Sequence, residues 1–206
     1  MKKPRPVTKN VLQYTVIIGK MNFVQPIRSK EKLEQMKEEL KKRGTRDYLL
    51  FYTGINTGLR VSDVVSLNYN DIRDNYGNMR SHISIVEKKT SKIKKFPICN
   101  GLYDELEKYT RFMKPGEYLF KSQIGANQPI TITQAYRILK HTANKLGLEE
   151  VGTHTMRKTF GYWHYKQYHD VALLQTIFNH SSPSITLRYI GISQDEIDKS
   201  YYNFSL

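Results

Sequence analysis

One pair of short strand-like runs stands in a chain whose other patterned segments have helical periodicity. Polar and apolar residues alternate through residues 82–86, which is the period of a half-buried β-strand, and the short run at 93–98 is interpreted as its partner. The lysine-rich segment 87–92 joins the two runs, so they predict an antiparallel hairpin with a basic tip. With one hairpin, most of the core must come from helices. The sequence therefore predicts a mixed α/β fold, mostly α-helical with a small antiparallel β-sheet.

Capping residues and apolar periodicity place helices on both sides of this hairpin. Ser29 is the expected N-cap of a helix that ends before Gly44, and a more apolar helix follows over residues 45–57. Gly58 is the expected C-terminal stop of that helix, and Ser62 is the expected cap of a short helix after it. Further helices are predicted over residues 101–113, 133–146, 155–168 and 171–178.

The chain carries a large excess of positive charge. Its 33 Lys and Arg residues against 19 Asp and Glu give a net charge of +14. Such an excess suits a polyanionic partner, of which nucleic acid is the commonest, although a generically basic protein is the alternative on charge alone. The basic residues are spread along the chain rather than gathered on one amphipathic helix, so no membrane partner is expected.

Cysteine use and hydropathy predict a cytoplasmic protein. Cys99 is the single cysteine, which excludes an intramolecular disulfide and a cysteine-based metal cluster. No apolar run approaches the roughly 20 residues that span a bilayer, and polar residues interrupt the only apolar stretch near the start, so no signal peptide is indicated. Four histidines have no metal-ligand spacing and are expected to be surface or packing residues: His82, His141, His164 and His169.

The C-terminal third contains residues whose chemistry is typical of attack on a phosphate. His154 and Arg157 are three residues apart, and His180 lies nine residues before Tyr189. A tyrosine hydroxyl with a pKa near 10 is ionised in only about one molecule in a thousand at neutral pH. An imidazole can take the phenolic proton, and cations can stabilise the charge that develops on phosphate. The cluster predicts a phosphoryl-transfer enzyme that becomes covalently joined to nucleic acid.

Four segments in sequence order resemble the catalytic domain of the tyrosine recombinase (phage integrase) family. They are an arginine-containing box at 57–67, the hairpin tip at 87–92, the His-x-x-Arg box at 154–160, and a last segment at 178–190 that contains the tyrosine. His-x-x-Arg alone would carry little weight, but four segments in the family's order are a specific signal. One departure is Asn179, which stands where the family usually has glycine.

This resemblance implies a role for each residue of the cluster. Tyr189 would attack a phosphodiester of double-stranded DNA to form a 3'-phosphotyrosine and release a 5'-hydroxyl. His154 would accept the phenolic proton, and His180 would donate a hydrogen bond to the phosphate. Arg60 and Arg157 would hold the non-bridging oxygens, because a guanidinium fork can bond two oxygens and stays charged.

The resemblance also implies supporting residues. Lys89 would protonate the departing 5'-oxygen; Lys88 and Lys92 compete for this role, and Lys89 is preferred because its spacing to Pro97 fits the family's hairpin. Asp63 would orient neighbouring side chains as a nearby anion. Cationic side chains supply the charge stabilisation of a metal, so no metal or other cofactor is expected. The lysines expected to contact DNA are Lys88, Lys92, Lys94 and Lys158.

The predicted function is that of a site-specific DNA recombinase, or integrase, encoded by a bacterium or phage. Residues 1–27 are interpreted as a basic tail or linker and residues 28–206 as the catalytic domain, without the core-binding domain that usually precedes it in the family. The chain would then be either a short stand-alone member or a fragment of a longer integrase. The alternatives are a DNA-binding accessory protein with little activity by itself and, ranked last, a type IB topoisomerase. The acidic segment after Tyr189, with Ser193 as its expected N-cap, would either dock on a neighbouring protomer of a tetramer or pack in cis.

Overall fold

The computed structural model describes residues 24–86, 93–192, 194–202 and 204–205. Strands β1 (His82–Val86) and β2 (Ile93–Pro97) pair antiparallel, with Ile83 opposite Phe96. Among the described residues the other regular elements are the helices α1 Lys30–Arg43, α2 Thr45–Thr57, α3 Val61–Val65, α4 Tyr69–Ile72, α5 Asn100–Thr110, α6 Ile132–Lys145, α7 Thr155–Tyr168, α8 Val171–Phe178, α9 Pro183–Ile190 and α10 Gln194–Tyr202. The predicted fold class, mostly helical with a small antiparallel sheet, is confirmed.

Several predictions fall outside the described residues. Among them are most of the predicted basic tail, the cap at Ser193, and the lysines of the hairpin tip, Lys88, Lys89 and Lys92. In the part of the chain that the structure does describe, no helix combines the length and the apolar character needed to cross a bilayer.

The capping predictions are confirmed at Ser29 and Gly58 and wrong at Ser62. The Ser29 hydroxyl accepts a hydrogen bond from the Lys32 N–H at 3.2 Å, and Gly58 ends α2 in the left-handed conformation with φ of 65°. Helix α3 instead begins after Arg60. Ser62 lies inside it and donates its hydroxyl to Asp63 Oδ1 at 3.3 Å, a local acceptor that replaces the capping bond.

Helix α9, which carries Tyr189, is not among the helices predicted from the sequence. It begins at Pro183 after the N-cap Ser182, whose hydroxyl accepts from the Ile185 N–H at 3.4 Å. Serine at the N-cap followed by proline at the first position is a favourable start for a helix. The signal is present in the sequence, but the helix is only eight residues long.

Helix α2 lies at the centre of the larger hydrophobic core. It contacts α1, α5 and α7, and its residues Leu49 and Leu50 are fully buried. Burial of a side chain of this size contributes about 1.5–3 kcal/mol to folding. Gly54 of α2 permits the close approach of α7, because a Cβ at that position would overlap the Met156 side chain. The helix that follows His154 is thereby held against α2, at the centre of this core.

A second, smaller core joins helices α7, α8 and α9. Its buried residues are Leu174, Phe178, Ile190 and Ile192, and Tyr189 packs at its edge. Gly161 of α7 faces this cluster, since a Cβ there would lie 2.6 Å from Ile190 Cγ2 and 2.7 Å from Phe178 Cε2. The absence of a side chain at Gly161 therefore sets how closely α9 approaches α7.

Replacement of Gly161 by alanine is expected to destabilise the protein. The added methyl group overpacks the contact with Phe178 and Ile190, and overpacking costs about 1–3 kcal/mol, more than the gain in helix propensity of up to about 1 kcal/mol. Urea unfolding would measure the loss. Gln167→Ala, at an exposed position of the same helix, is the matched control and should change stability by less than about 0.5 kcal/mol. A Gly161→Ala variant as stable as the control would contradict the packing argument.

Candidate active site

Tyr189 lies in the last turn of α9 and is half-buried. Its ring centroid is 5.1 Å from that of His180 and 5.6 Å from that of Phe178, both in edge-on contacts. Burial raises the pKa of the Tyr189 hydroxyl, and the nearby Arg157 and Arg60 oppose that shift. The phenol therefore keeps its proton at neutral pH, and its attack on an electrophile requires a base.

His154 is placed to be that base. Its Nδ1 lies 3.2 Å from the Tyr189 hydroxyl oxygen, although 35 residues separate the two in sequence. Desolvation and the charges of Lys158, Arg157 and Arg60 lower the pKa of His154. The imidazole is thus neutral at neutral pH, and in that form Nδ1 can accept the phenolic hydrogen.

Arg157 is buried, with 6% of its surface exposed, and it joins the ends of two helices. Its Nη1 donates to the carbonyl of Gly58 at 2.5 Å and its Nη2 to the carbonyl of Phe178 at 3.0 Å. The guanidinium Cζ also lies 4.3 Å from the centroid of the Phe178 ring. Carbonyls at helix C-termini lack intrahelical donors and attract cations. Two of the five N–H groups of arginine are engaged in this way, so the guanidinium is held rigidly beside Tyr189.

Arg60 reaches the same site from the N-terminal side of α3. Its side chain is exposed, yet its charge acts on both histidines and on Tyr189. Among the hydrogen bonds of the described residues, none involves its guanidinium. Arg60 is therefore positioned to bind an anion, whereas Arg157 is committed in part to the fold.

Asp63 and His180 lie around these arginines. Burial and Arg60 lower the pKa of Arg157, and Tyr189 and Asp63 oppose that effect, which places the Asp63 carboxylate within electrostatic reach. His180 is half-buried, and its Nδ1 lies 3.0 Å from Thr186 Oγ1. Desolvation, Arg157 and Arg60 lower the pKa of His180.

Asn179 supports this geometry despite its departure from the glycine of the family pattern. It ends α8 with φ of 55° and ψ of 48°, the left-handed conformation. Asparagine enters that region more readily than other residues with a Cβ. The turn into His180 therefore forms without glycine.

The structure places one predicted DNA-contacting lysine beside Tyr189 and a second one on strand β2. Lys158 Nζ lies 5.2 Å from the centroid of the Tyr189 ring. Lys94 is half-buried in β2, opposite Ile85, and borders a cleft between β2 and helices α7 and α8. Sequence reasoning missed Arg28, whose Nη2 donates to the carbonyl of Gly191 at 2.7 Å and whose charge, after desolvation, lowers the pKa of Lys158.

The remaining histidines are surface or packing residues, as predicted. His82 and His141 are exposed, His169 ends α7, and His164 packs against the Phe160 and Tyr168 rings. Across residues 24–86, 93–192 and the described part of the C-terminus, no three or more His, Cys, Asp or Glu side chains are grouped in a way that could hold a metal ion.

Known proteins resemble this chain in both sequence and fold. It is 48% identical to the probable integrase/recombinase YoeC of Bacillus subtilis over 184 residues, which cover 89% of this chain and 98% of that protein. It is 26% identical to tyrosine recombinase XerC of Staphylococcus haemolyticus, covering 89% of this chain and 63% of XerC. The structure matches the XerH site-specific recombinase with a TM-score of 0.67 and 23% identity, covering 85% of this chain and 51% of XerH.

The fold is accordingly that of a tyrosine recombinase catalytic domain. Residues 28–196 match the phage integrase family, and the chain belongs to that family. It is therefore grouped with the enzymes of DNA integration and recombination. The chain spans nearly the whole of YoeC but less than two thirds of XerC.

Proposed function

We propose that this protein is a site-specific DNA recombinase that breaks and rejoins DNA through a 3'-phosphotyrosine at Tyr189. The observation that carries the proposal is the 3.2 Å separation between His154 Nδ1 and the Tyr189 hydroxyl. A protonated phenol, a neutral imidazole beside it and two guanidinium groups within electrostatic reach form a nucleophile, a base and an anion site.

This geometry supports the following cleavage step. The Tyr189 oxygen attacks the scissile phosphorus as its proton passes to His154 Nδ1, forming the P–O(Tyr) bond and breaking the bond to the 5'-oxygen. The departing oxygen takes a proton, and Lys89, outside the described residues, is the proposed donor. The phosphodiester energy is retained in the phosphotyrosine, so a 5'-hydroxyl can reverse the step and rejoin the DNA without a nucleotide cofactor.

The developing charge on the phosphate is the main electrostatic problem of this step. We propose that Arg60, the remaining N–H groups of Arg157, and His180 donate hydrogen bonds to the non-bridging oxygens. Prepositioned donors of this kind typically contribute about 10²–10³ each to a rate. Because fixed cations can stabilise this charge, we propose that the reaction requires no metal ion. Asp63 would keep the arginines oriented.

Double-stranded DNA is the proposed partner. The net charge of +14 gives the chain a strong attraction for phosphate backbones. The XerH recombinase, which shares this fold, is described in a post-cleavage complex with its difH substrate. We assign residues 28–206 to the catalytic domain and Lys88, Lys92, Lys94 and Lys158 to contacts with DNA.

We further propose that the protein assembles on DNA as a homotetramer through its C-terminal segment. In the single chain, this segment is attached in cis by an ion pair of 2.7 Å between Lys166 Nζ and Glu196 Oε1. It also exposes three aromatic side chains, Tyr201, Tyr202 and Phe204, which another protomer could cover. Mass measurement of the protein–DNA complex should give four copies for the native chain and fewer for a Tyr201→Ser, Tyr202→Ser variant.

A trapping assay tests the proposed reaction. A duplex nicked near the cleavage site loses the short 5'-hydroxyl strand after attack, so rejoining stops and the covalent adduct accumulates. The adduct should survive denaturation and form equally with EDTA present. An adduct that vanishes in EDTA would overturn metal independence alone. DNA binding without any adduct would instead favour an accessory function.

The pH dependence of cleavage should report the lowered pKa of His154. As pH rises through that pKa, the imidazole loses its proton and the base form increases, so the single-turnover cleavage rate should rise and then level off. Because desolvation and neighbouring cations lower the pKa, the midpoint should fall below the ordinary value of about 6.5. The raised pKa of Tyr189 should add no second rise near neutrality.

Two variants identify the group that titrates in that profile. His154→Gln should lower the plateau rate by about 10²-fold or more and remove the rise. His141→Gln, at an exposed position of α6, is the control and should retain the full profile. A midpoint at or above 6.5, or an unchanged profile in His154→Gln, would assign the base to another group.

A further inference from the structure

Thr186 is a residue of α9 with no role in the cleavage step proposed above. Its side chain is fully buried and lies three residues before Tyr189. The Thr186 Oγ1 atom is 3.0 Å from His180 Nδ1 and 3.3 Å from the carbonyl oxygen of Ser182. A hydroxyl has one hydrogen, so at any moment Thr186 donates to one of these atoms only.

The surroundings favour donation to His180. The Ser182 carbonyl already accepts a hydrogen bond from the Thr186 backbone N–H at 3.3 Å, so it is satisfied without the hydroxyl. His180 Nδ1 has no second donor among the described residues, and its distance to Oγ1 is the shorter of the two. A ring nitrogen that accepts a hydrogen bond cannot carry the single hydrogen of a neutral imidazole.

We propose that Thr186 is a positioning residue that fixes His180 in the tautomer with its hydrogen on Nε2. In that form His180 presents an N–H group to a bound phosphate. In the other tautomer Nε2 would turn a lone pair towards the phosphate oxygens and repel them. The catalytic use of this tautomer rests on the function proposed above, whereas the tautomer itself is a property of the DNA-free protein.

Nitrogen NMR of the free protein tests the tautomer directly. The two ring nitrogens of a neutral histidine differ in chemical shift according to which one bears hydrogen, and loss of a signal in His180→Gln assigns the resonance. The spectrum is recorded well above the ordinary histidine pKa of about 6.5. The native protein should carry hydrogen on Nε2. Hydrogen on Nδ1 in the native protein would overturn the proposal before any variant is made.

Two variants of matched size separate the hydroxyl from packing. Thr186→Val keeps the volume but removes the donor, and should shift hydrogen towards His180 Nδ1. Thr186→Ser keeps the donor and should retain the native tautomer. Hydrogen-bond partners that orient metal-ligating histidines typically contribute about 10–100-fold. By analogy, Thr186→Val should slow single-turnover cleavage by about tenfold while DNA affinity stays constant, and Thr186→Ser should restore most of the rate.

The outcomes distinguish this proposal from the function on which it rests. If the native protein does not cleave DNA but shows the Nε2 tautomer, and Thr186→Val shifts it, the proposed function fails and the role of Thr186 in fixing the tautomer stands. If Thr186→Val leaves the tautomer unchanged, or Thr186→Ser loses it, the proposal for Thr186 is wrong whether or not cleavage occurs. A slower Thr186→Val variant with native tautomer would indicate packing alone.

Discussion

Tyr189→Phe is expected to abolish the covalent protein–DNA adduct. The substitution removes the single oxygen that would bond to phosphorus, and the ring keeps its contacts with Phe178 and His180. Loss of a nucleophile lowers rates by about 10⁴-fold or more in well-studied enzymes, so the trapped species should fall below detection. Affinity for DNA should remain close to that of the native protein, because no cation is removed.

The control for this variant is another tyrosine of the same chain. Tyr76 is 92% exposed in the turn before the hairpin, and Tyr76→Phe should give the native yield of adduct. The chain contains 15 tyrosines, so specificity for one of them is informative. An adduct that persists in Tyr189→Phe would show that a different side chain attacks the phosphate.

Alanine substitutions of Arg157 and Arg60 should both slow cleavage, but only the Arg157 variant should lose stability. Arg157→Ala leaves the carbonyls of Gly58 and Phe178 without their donors in a buried site, and each unsatisfied group costs about 1–3 kcal/mol. The variant should lose about 2–4 kcal/mol of unfolding free energy and, because a donor to the phosphate is removed, about 10²–10³-fold in cleavage rate. The slope of log K for DNA binding against log salt concentration should become less negative by about one.

Arg60→Ala is the matched variant at an exposed position. Its cleavage rate should fall about as much as that of Arg157→Ala. Its unfolding free energy should change by less than about 0.5 kcal/mol, since none of the described hydrogen bonds holds the Arg60 guanidinium. Urea unfolding and single-turnover cleavage measure the two effects separately. Equal destabilisation by both variants would contradict the different burial of the two side chains, and unimpaired cleavage in Arg60→Ala would remove it from the anion site.

Local signals in the sequence were sufficient for much of the fold. Apolar periodicity with capping residues predicted α1 and α2. Alternation at 82–86, followed by a lysine-rich connection and a second strand-like run, predicted the two strands. The error at Ser62 shows the limit of such signals. A serine near the start of a helix can cap it or bond elsewhere, and here the neighbouring Asp63 carboxylate takes its hydroxyl.

Some of the site residues could be predicted from the sequence, and others could not. The residue types of the C-terminal third indicated a phosphate-directed cluster, and the family resemblance added Arg60. The structure brings Arg60, His154, Arg157, His180 and Tyr189 together. The contribution of Thr186 had no signal in the sequence. It depends on the turn between α8 and α9, which directs the His180 ring towards Oγ1. Arg28 was missed for a similar reason, because its partner Gly191 is 163 residues away.

The chemical groups of this protein and the order of its elements are properties of the linear chain. Helix periodicity, caps and the four family segments are local properties of the chain, so they can be read without knowledge of its path. The environment of those groups depends on the packed fold, which buries Arg157 between the ends of α2 and α8 and orients His154 Nδ1 towards Tyr189. The physical reason is that desolvation, hydrogen-bond geometry and charge proximity depend on distances between helices. Those distances are set by packing at positions such as Gly54 and Gly161, where side chains distant in sequence meet.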